Sequence, residues 1–139
     1  MREKDQVSMT NVTQNRPLSP HLSIYKQIPT MVMSILHRLT GMALYAGTIL
    51  VAWWLIAAAS GPEYFDWVNG IFGSLLGRLV LFGYTWALVH HLLGGIRHFI
   101  WDTGHGFDPQ TSTKMAWATI TGSVILTVLI WIAGYATRF

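Results

Sequence analysis

The sequence predicts an all-α membrane protein, three transmembrane helices preceded by a polar, proline-containing arm. Three observations carry that expectation. Of the 139 residues 52% are hydrophobic and only 11% charged, and seven are tryptophan, a composition that suits a membrane protein better than a small soluble domain. Uncharged runs recur at lengths that cross a hydrocarbon core, which needs about 20 helical residues. The polar residues between those runs cluster with Gly, Pro, Asp and Asn.

Residues 1–30 (MREKDQVSMTNVTQNRPLSPHLSIYKQIPT) carry Arg2, Lys4, Arg16 and Lys26 together with Pro17, Pro20 and Pro29, and read as an extended arm in water or along a surface. The first span, about 31–59, contains the charge-free run LTGMALYAGTILVAWWLIAAA at 39–59. The second, about 78–101, is uncharged over 79–96 apart from His90 and His91, and continues to Trp101 if Arg97 snorkels toward the headgroups. The third, about 115–137, is MAWATITGSVILTVLIWIAGYAT. The linkers SGPEYFDWVNG and DTGHGFDPQTST read as short exposed loops. The arm at 1–30 and the three-helix anchor at 31–139 form the expected organisation.

Lys and Arg set the orientation. With the N-terminus in the cytoplasm, Arg2, Lys4, Arg16, Lys26, Arg38, Arg97 and Lys114 share that side, and only Arg78 and Arg138 lie opposite. A bacterial inner membrane is the expected location, because no apolar core follows the first basic residues and Glu3 and Asp5 argue against a transit peptide. The chain has no cysteine, which removes disulfides, iron–sulfur ligation and thiolate metal sites from it. No nucleic-acid partner is expected.

The polar residues of the second span bear on function. His91 lies roughly 15 Å from the edge marked by Asp102, near the bilayer midplane, at 1.5 Å per residue. His91, His98 and Asp102 recur at intervals of seven and four and share a stripe, while His90 points about 100° away. Gly94 and Gly95 leave that stretch open to a backbone or a flat ring. Ser34, His37 and Arg38 enter the first span at the same membrane face. On helix geometry alone, His91 is open both to ligating a cofactor and to an interhelical hydrogen bond. His90 reads as a packing, lipid-facing or partner-facing residue, and His21 and His105 as solvated.

Two stretches carry a resemblance. RPLSPHLSIYKQIPTMVMSILHRLT, residues 16–40, contains Ser-x-x-His-Arg-x-Thr, and HLLGGIRHFIWDTG, residues 91–104, contains His-x-x-x-Gly-Ile-Arg-His with an Asp four residues on. Both resemble the signatures of the cytochrome b subunit family of succinate dehydrogenase, in order and on the corresponding spans. The resemblance implies His91 as axial ligand of a b-type haem, His37, Arg97 and His98 near its propionates, and Ser34, Arg38 and Asp102 at a ubiquinone site. It also implies partners: a second small membrane anchor subunit, an iron–sulfur subunit and a flavoprotein subunit. This chain would then be one subunit of an enzyme, with no flavin or iron–sulfur centre and no catalytic residue of its own.

Helix geometry adds that His90 and His91 face different ways and cannot clamp one iron from both sides, so a second iron ligand must come from another chain. The alternative from a different class is a small non-haem transport or assembly protein whose intramembrane histidines handle protons or metal. It predicts no porphyrin absorbance.

Overall fold

The computed structural model describes residues 20, 21 and 23–137, and among them the chain forms four helices: α1 Pro29–Ser60, α2 Pro62–Gly73, α3 Leu75–Asp102 and α4 Pro109–Ala136. Most of the arm, including Arg2, Lys4 and Arg16, lies outside the described residues, as does Arg138. The described arm residues 20, 21 and 23–28 are exposed.

Three of the helices begin on proline, whose missing N–H costs nothing in a first turn. Pro29 therefore starts α1 two residues before the expected boundary. Helix α4 starts six residues before its expected one, because Asp108 accepts from the Thr111 N–H at 2.8 Å and Pro109 follows it. That N–H holds the Asp108 carboxyl below the usual carboxylate range, so the cap persists at neutral pH and is lost only in acid.

Helices α1, α3 and α4 are each long and apolar enough to cross a membrane. At 1.5 Å per residue the 32 residues of α1 extend about 48 Å, well past a hydrocarbon core of about 30 Å. The burial pattern inverts that of a soluble bundle. Small and hydroxylic residues fill the seams: Ala116, Thr119, Ser123 and Thr127 on α4, and Gly77, Ala87 and Gly94 on α3. Large apolar residues such as Leu88, Leu92, Ile96 and Phe99 face outward. Lipid gives apolar side chains no reason to turn inward, so close approach of small residues drives the packing. The seam hydroxyls are satisfied within their own helix, Thr119 donating to the Met115 carbonyl at 2.8 Å and Thr127 to that of Ser123 at 2.7 Å. Helix α3 packs against both α1 and α4, and α1 also touches α4.

The first linker differs from expectation, since α2 replaces the loop read there. Gly61 turns the corner at φ 122°, Pro62 opens the helix, and Phe65, Val68 and Phe72 recur at helical spacing toward the bundle, with Val68 fully buried. Gly and Pro are here helix boundaries rather than loop markers.

Only Ser74 separates α2 from α3. Its N–H donates to the Gly70 carbonyl at 3.1 Å, and its hydroxyl accepts from the Gly77 N–H at 3.1 Å. The turn is so tight that a Cβ on Gly77 would collide with the Ile71 carbonyl and the Phe72 backbone, whereas one on Gly83 meets nothing within 4 Å. Backbone cannot swing aside as a flexible side chain can. Gly77→Ala is therefore expected to destabilise the protein by about 1–3 kcal/mol and Gly83→Ala by less than about 0.5 kcal/mol. Thermal unfolding of the two variants in detergent checks the ranking; equal midpoints would show that the α2–α3 turn yields easily.

Candidate functional site

The polar groups of α1 and α3 meet where the two helices cross. The rings of His37 and His91 stack, centroids 3.9 Å apart and planes within 5°. Each ring occupies room left by a glycine on the opposite helix. A Cβ on Gly41 would stand 3.0 Å from His91 Cε1, and one on Gly94 would run into His37 Nδ1. Gly95 faces open space, with nothing within 4 Å of a Cβ. The expectation that glycines admit a flat ring therefore applies to Gly94, and the ring is that of His37.

His91 is held in one orientation from α1. Its Nδ1 lies 3.1 Å from the His37 carbonyl oxygen and 3.3 Å from Thr40 Oγ1. A carbonyl can only accept, so Nδ1 carries the proton. Thr40 can accept as well, because its own hydroxyl hydrogen goes to the Leu36 carbonyl at 2.9 Å or that of His37 at 3.0 Å. The tautomer assigned by this network leaves Nε2 with its lone pair, and Nε2 makes no hydrogen bond among the described residues. His91 is half-buried, so that lone pair belongs to a side chain only partly enclosed by its own bundle.

His90 takes the opposite environment. It is 0% exposed, its Nδ1 lies 3.2 Å from Ser123 Oγ on α4, and Trp86 packs on its ring at 5.1 Å. The Ser123 hydroxyl donates to the Ile120 carbonyl at 2.8 Å and so accepts from His90. His90 is thus an interior packing residue, not a lipid-facing one.

His98 joins the imidazoles, its ring 5.2 Å from that of His37 and 5.2 Å from that of Trp101. Arg97, seven residues after His90, is 3% exposed and its guanidinium carbon lies 4.9 Å from the centre of the Trp101 ring. Among the described residues its Nε and Nη1 have no partner, and neither have His37 Nδ1 and the enclosed His90 Nε2. A buried guanidinium with orphaned donors costs several kcal/mol, so this end of the bundle calls for an anion.

The remaining expected site residues stand at the same end without joining the cluster. Ser34 is half-buried, Arg38 and Asp102 are exposed, and no hydrogen bond among the described residues ties Arg38 or Asp102 to the imidazoles. His21 and His105 are exposed, as expected. The sequence reading missed Thr40 and Gly41. Thr40 closes the first signature three residues after His37, a helical spacing that puts both on one side of α1 and was the available signal.

The sequence pattern of one family covers residues 12–130, that of the succinate dehydrogenase/fumarate reductase transmembrane subunits. The chain belongs to this family. It is 45% identical over 115 residues to the succinate dehydrogenase cytochrome b556 subunit of Paracoccus denitrificans, covering 83% of this chain and 88% of that one. The cytochrome b556 subunit of Rickettsia felis is 39% identical over 117 residues, 84% of this chain and 91% of the relative. The mitochondrial cytochrome b560 subunit of Bos taurus is 42% identical over 98 residues, 69% of this chain and 58% of the bovine protein. The resemblance read from the two motifs is thereby borne out. As a succinate dehydrogenase/fumarate reductase transmembrane subunit, the chain is one component of a membrane-bound oxidoreductase, and its polar cluster lies at one end of that subunit's α1–α3 pair.

Proposed function

We propose that this chain is the haem-bearing membrane anchor of a succinate:ubiquinone oxidoreductase in a bacterial inner membrane, with its N-terminus in the cytoplasm. The observation that carries the reading is the clamp on His91: Nδ1–H is committed to the His37 carbonyl and Thr40, and Nε2 is left as a lone-pair donor. Histidines that ligate metals are oriented through the other ring nitrogen in this way. The residues present fit a b-type haem on two further grounds: Gly95 opens the face beside His91, and the nitrogens of Arg97 and His37 that have no partner among the described residues suit anionic propionates. The relatives named above as cytochromes agree with it.

When bound, the haem supplies a one-electron iron couple whose potential its ligands and their hydrogen bonds set. His91 Nε2 would hold the iron from this side, and His37, Arg97 and His98 would hold the propionates. His90 faces Ser123 inside the bundle, so any second iron ligand would come from a second small anchor subunit. Succinate oxidation belongs to flavoprotein and iron–sulfur subunits docked on the cytoplasmic face.

Reduction of ubiquinone to ubiquinol takes two electrons and two protons. Ser34 would donate a hydrogen bond to one carbonyl oxygen, and Arg38 would stabilise the negative charge that develops there as electrons arrive. Asp102 and His98, exposed at the wet edge, would carry protons inward. The test is the complex purified through a tag on this chain. A dithionite-reduced minus oxidised b-type band, together with succinate:quinone reductase activity, is expected. An intact complex without that band would remove the haem from the proposal.

A further inference from the structure

We propose that a short file of bound water runs inside the bundle from His90 past His37 to Arg97, and that His90 positions the other two groups through it. His90 and Arg97 are 0% and 3% exposed. His90 Nε2, His37 Nδ1, Arg97 Nε and Arg97 Nη1 are enclosed and have no hydrogen-bond partner among the described residues. Buried nitrogens of this kind are costly to leave unpaired, and ordering a water beside them costs less.

These atoms follow one another along a single stripe. At 3.6 residues per turn, positions 90, 94 and 97 of α3 fall within about 60° of one another. Gly94 puts no side chain on that stripe, and the His37 ring of α1 lies over it, since a Cβ there would run into His37 Nδ1. His37 Nδ1 therefore stands between His90, four residues before Gly94, and Arg97, three residues after it. Those intervals are about 6 Å and about 4.5 Å along the axis, and a water bonded to two polar atoms at about 2.8 Å each bridges about 5.6 Å. One or two waters complete the line.

The occupant has to accept at one end and donate at the other. Ser123 gives its hydroxyl hydrogen to the Ile120 carbonyl at 2.8 Å and accepts from His90 Nδ1 at 3.2 Å, which leaves His90 Nε2 as an acceptor. Arg97 only donates. Water meets both demands, whereas chloride accepts from Arg97 and offers His90 nothing. The positioning role rests on the haem reading, because His37 and Arg97 are the groups that would hold propionates. Arg97 has five N–H donors, of which a bidentate carboxylate takes two, and His37 has Nε2 besides Nδ1, so both serve water and a propionate together.

The experiment takes the whole complex, tagged on this chain, to a cryo-electron microscopy map that shows ordered water. Density within hydrogen-bond reach of His90 Nε2 and of Arg97 is expected. A dry interior overturns the proposal, and so does one isolated ion on Arg97 with nothing beside His90. Redox titration of the haem then tests the positioning. His90→Leu fills the imidazole's volume with hydrocarbon, so the waters leave and Arg97 retreats to the wet edge, withdrawing a positive charge that favours reduced iron. Alanine would leave room for a further water, so leucine is the informative change. With the b-type band kept, the ratio of reduced to oxidised haem at a fixed potential should fall about tenfold, a midpoint lower by about 59 mV for one electron. His90→Gln, whose amide oxygen accepts as Nε2 does, should recover most of that shift. A midpoint unchanged or raised in His90→Leu, or no recovery in His90→Gln, overturns the positioning role. If His90→Leu does not assemble, or the wild type has no b-type band and the haem reading falls, the wild-type water density alone decides.

Discussion

Replacing His91 with alanine is expected to abolish the b-type band of the purified complex or shift it to a high-spin form, while His90→Ala leaves the band in place and lowers thermal stability. The two residues are adjacent, yet their surroundings separate them. His91 offers Nε2 from a half-buried ring whose Nδ1–H is fixed by the His37 carbonyl at 3.1 Å. His90 is fully enclosed, hydrogen-bonded to Ser123 and packed on Trp86. Its removal opens a void among α3 and α4 and orphans nothing that a haem would use, at a cost of about 2–5 kcal/mol for a large-to-small change in a packed interior. Thr40→Val gives the intermediate case. It deletes one of two acceptors for Nδ1–H and keeps the other, so haem retention should fall by about tenfold, the lower end of what partners behind a metal ligand contribute. Spectra of the three variants, normalised to assembled complex, rank these effects. A larger spectral loss in His90→Ala than in His91→Ala would move the ligand by one position and dismantle the assignment.

The three spans were legible because each is a long charge-free run, and lipid demands that of any spanning helix. Helix α2 was not, since Gly61, Pro62, Asp66 and Asn69 carry the residue types of a loop while Phe65, Val68 and Phe72 carry the weaker periodic signal of a one-sided helix. The polar first turns of α4 hid its start in the same way, Pro109 and the Asp108 cap being read as loop. Within the site, the angular separation of His90 from His91 follows from 100° per residue and needs no structure. The roles of Thr40, Gly41 and Gly94 do need one. They depend on the register of α1 against α3, which brings Thr40 to His91 across 51 positions of sequence, and no periodicity within either helix contains that register. Ring stacking of His37 on His91 belongs to the same class of fact.

Arg38→Leu is expected to lower quinone reductase activity by about 10²–10³-fold, the usual effect of removing one donor aimed at developing negative charge. Succinate oxidation by a soluble dye should stay within about twofold of the wild type, the size of a change of about 0.4 kcal/mol. Position and exposure single out this side chain. Arg38 stands four residues after Ser34 on α1, at the end of the bundle where His37 and His98 gather, and it is exposed in this chain. A side chain exposed in its own chain can be shortened at a cost to that chain's fold of about 0.5 kcal/mol or less, so this subunit should still fold. If Arg38 stabilises charge that appears only as the quinone is reduced, kcat and kcat/KM for quinone fall together; if it merely docks the ring, KM rises alone. Arg38→Lys separates charge from shape, since an ammonium keeps the charge but loses the planar fork, and should recover part of the activity. Equal loss of dye reduction and quinone reduction would mean a failure of assembly, and Arg38 would leave the quinone site.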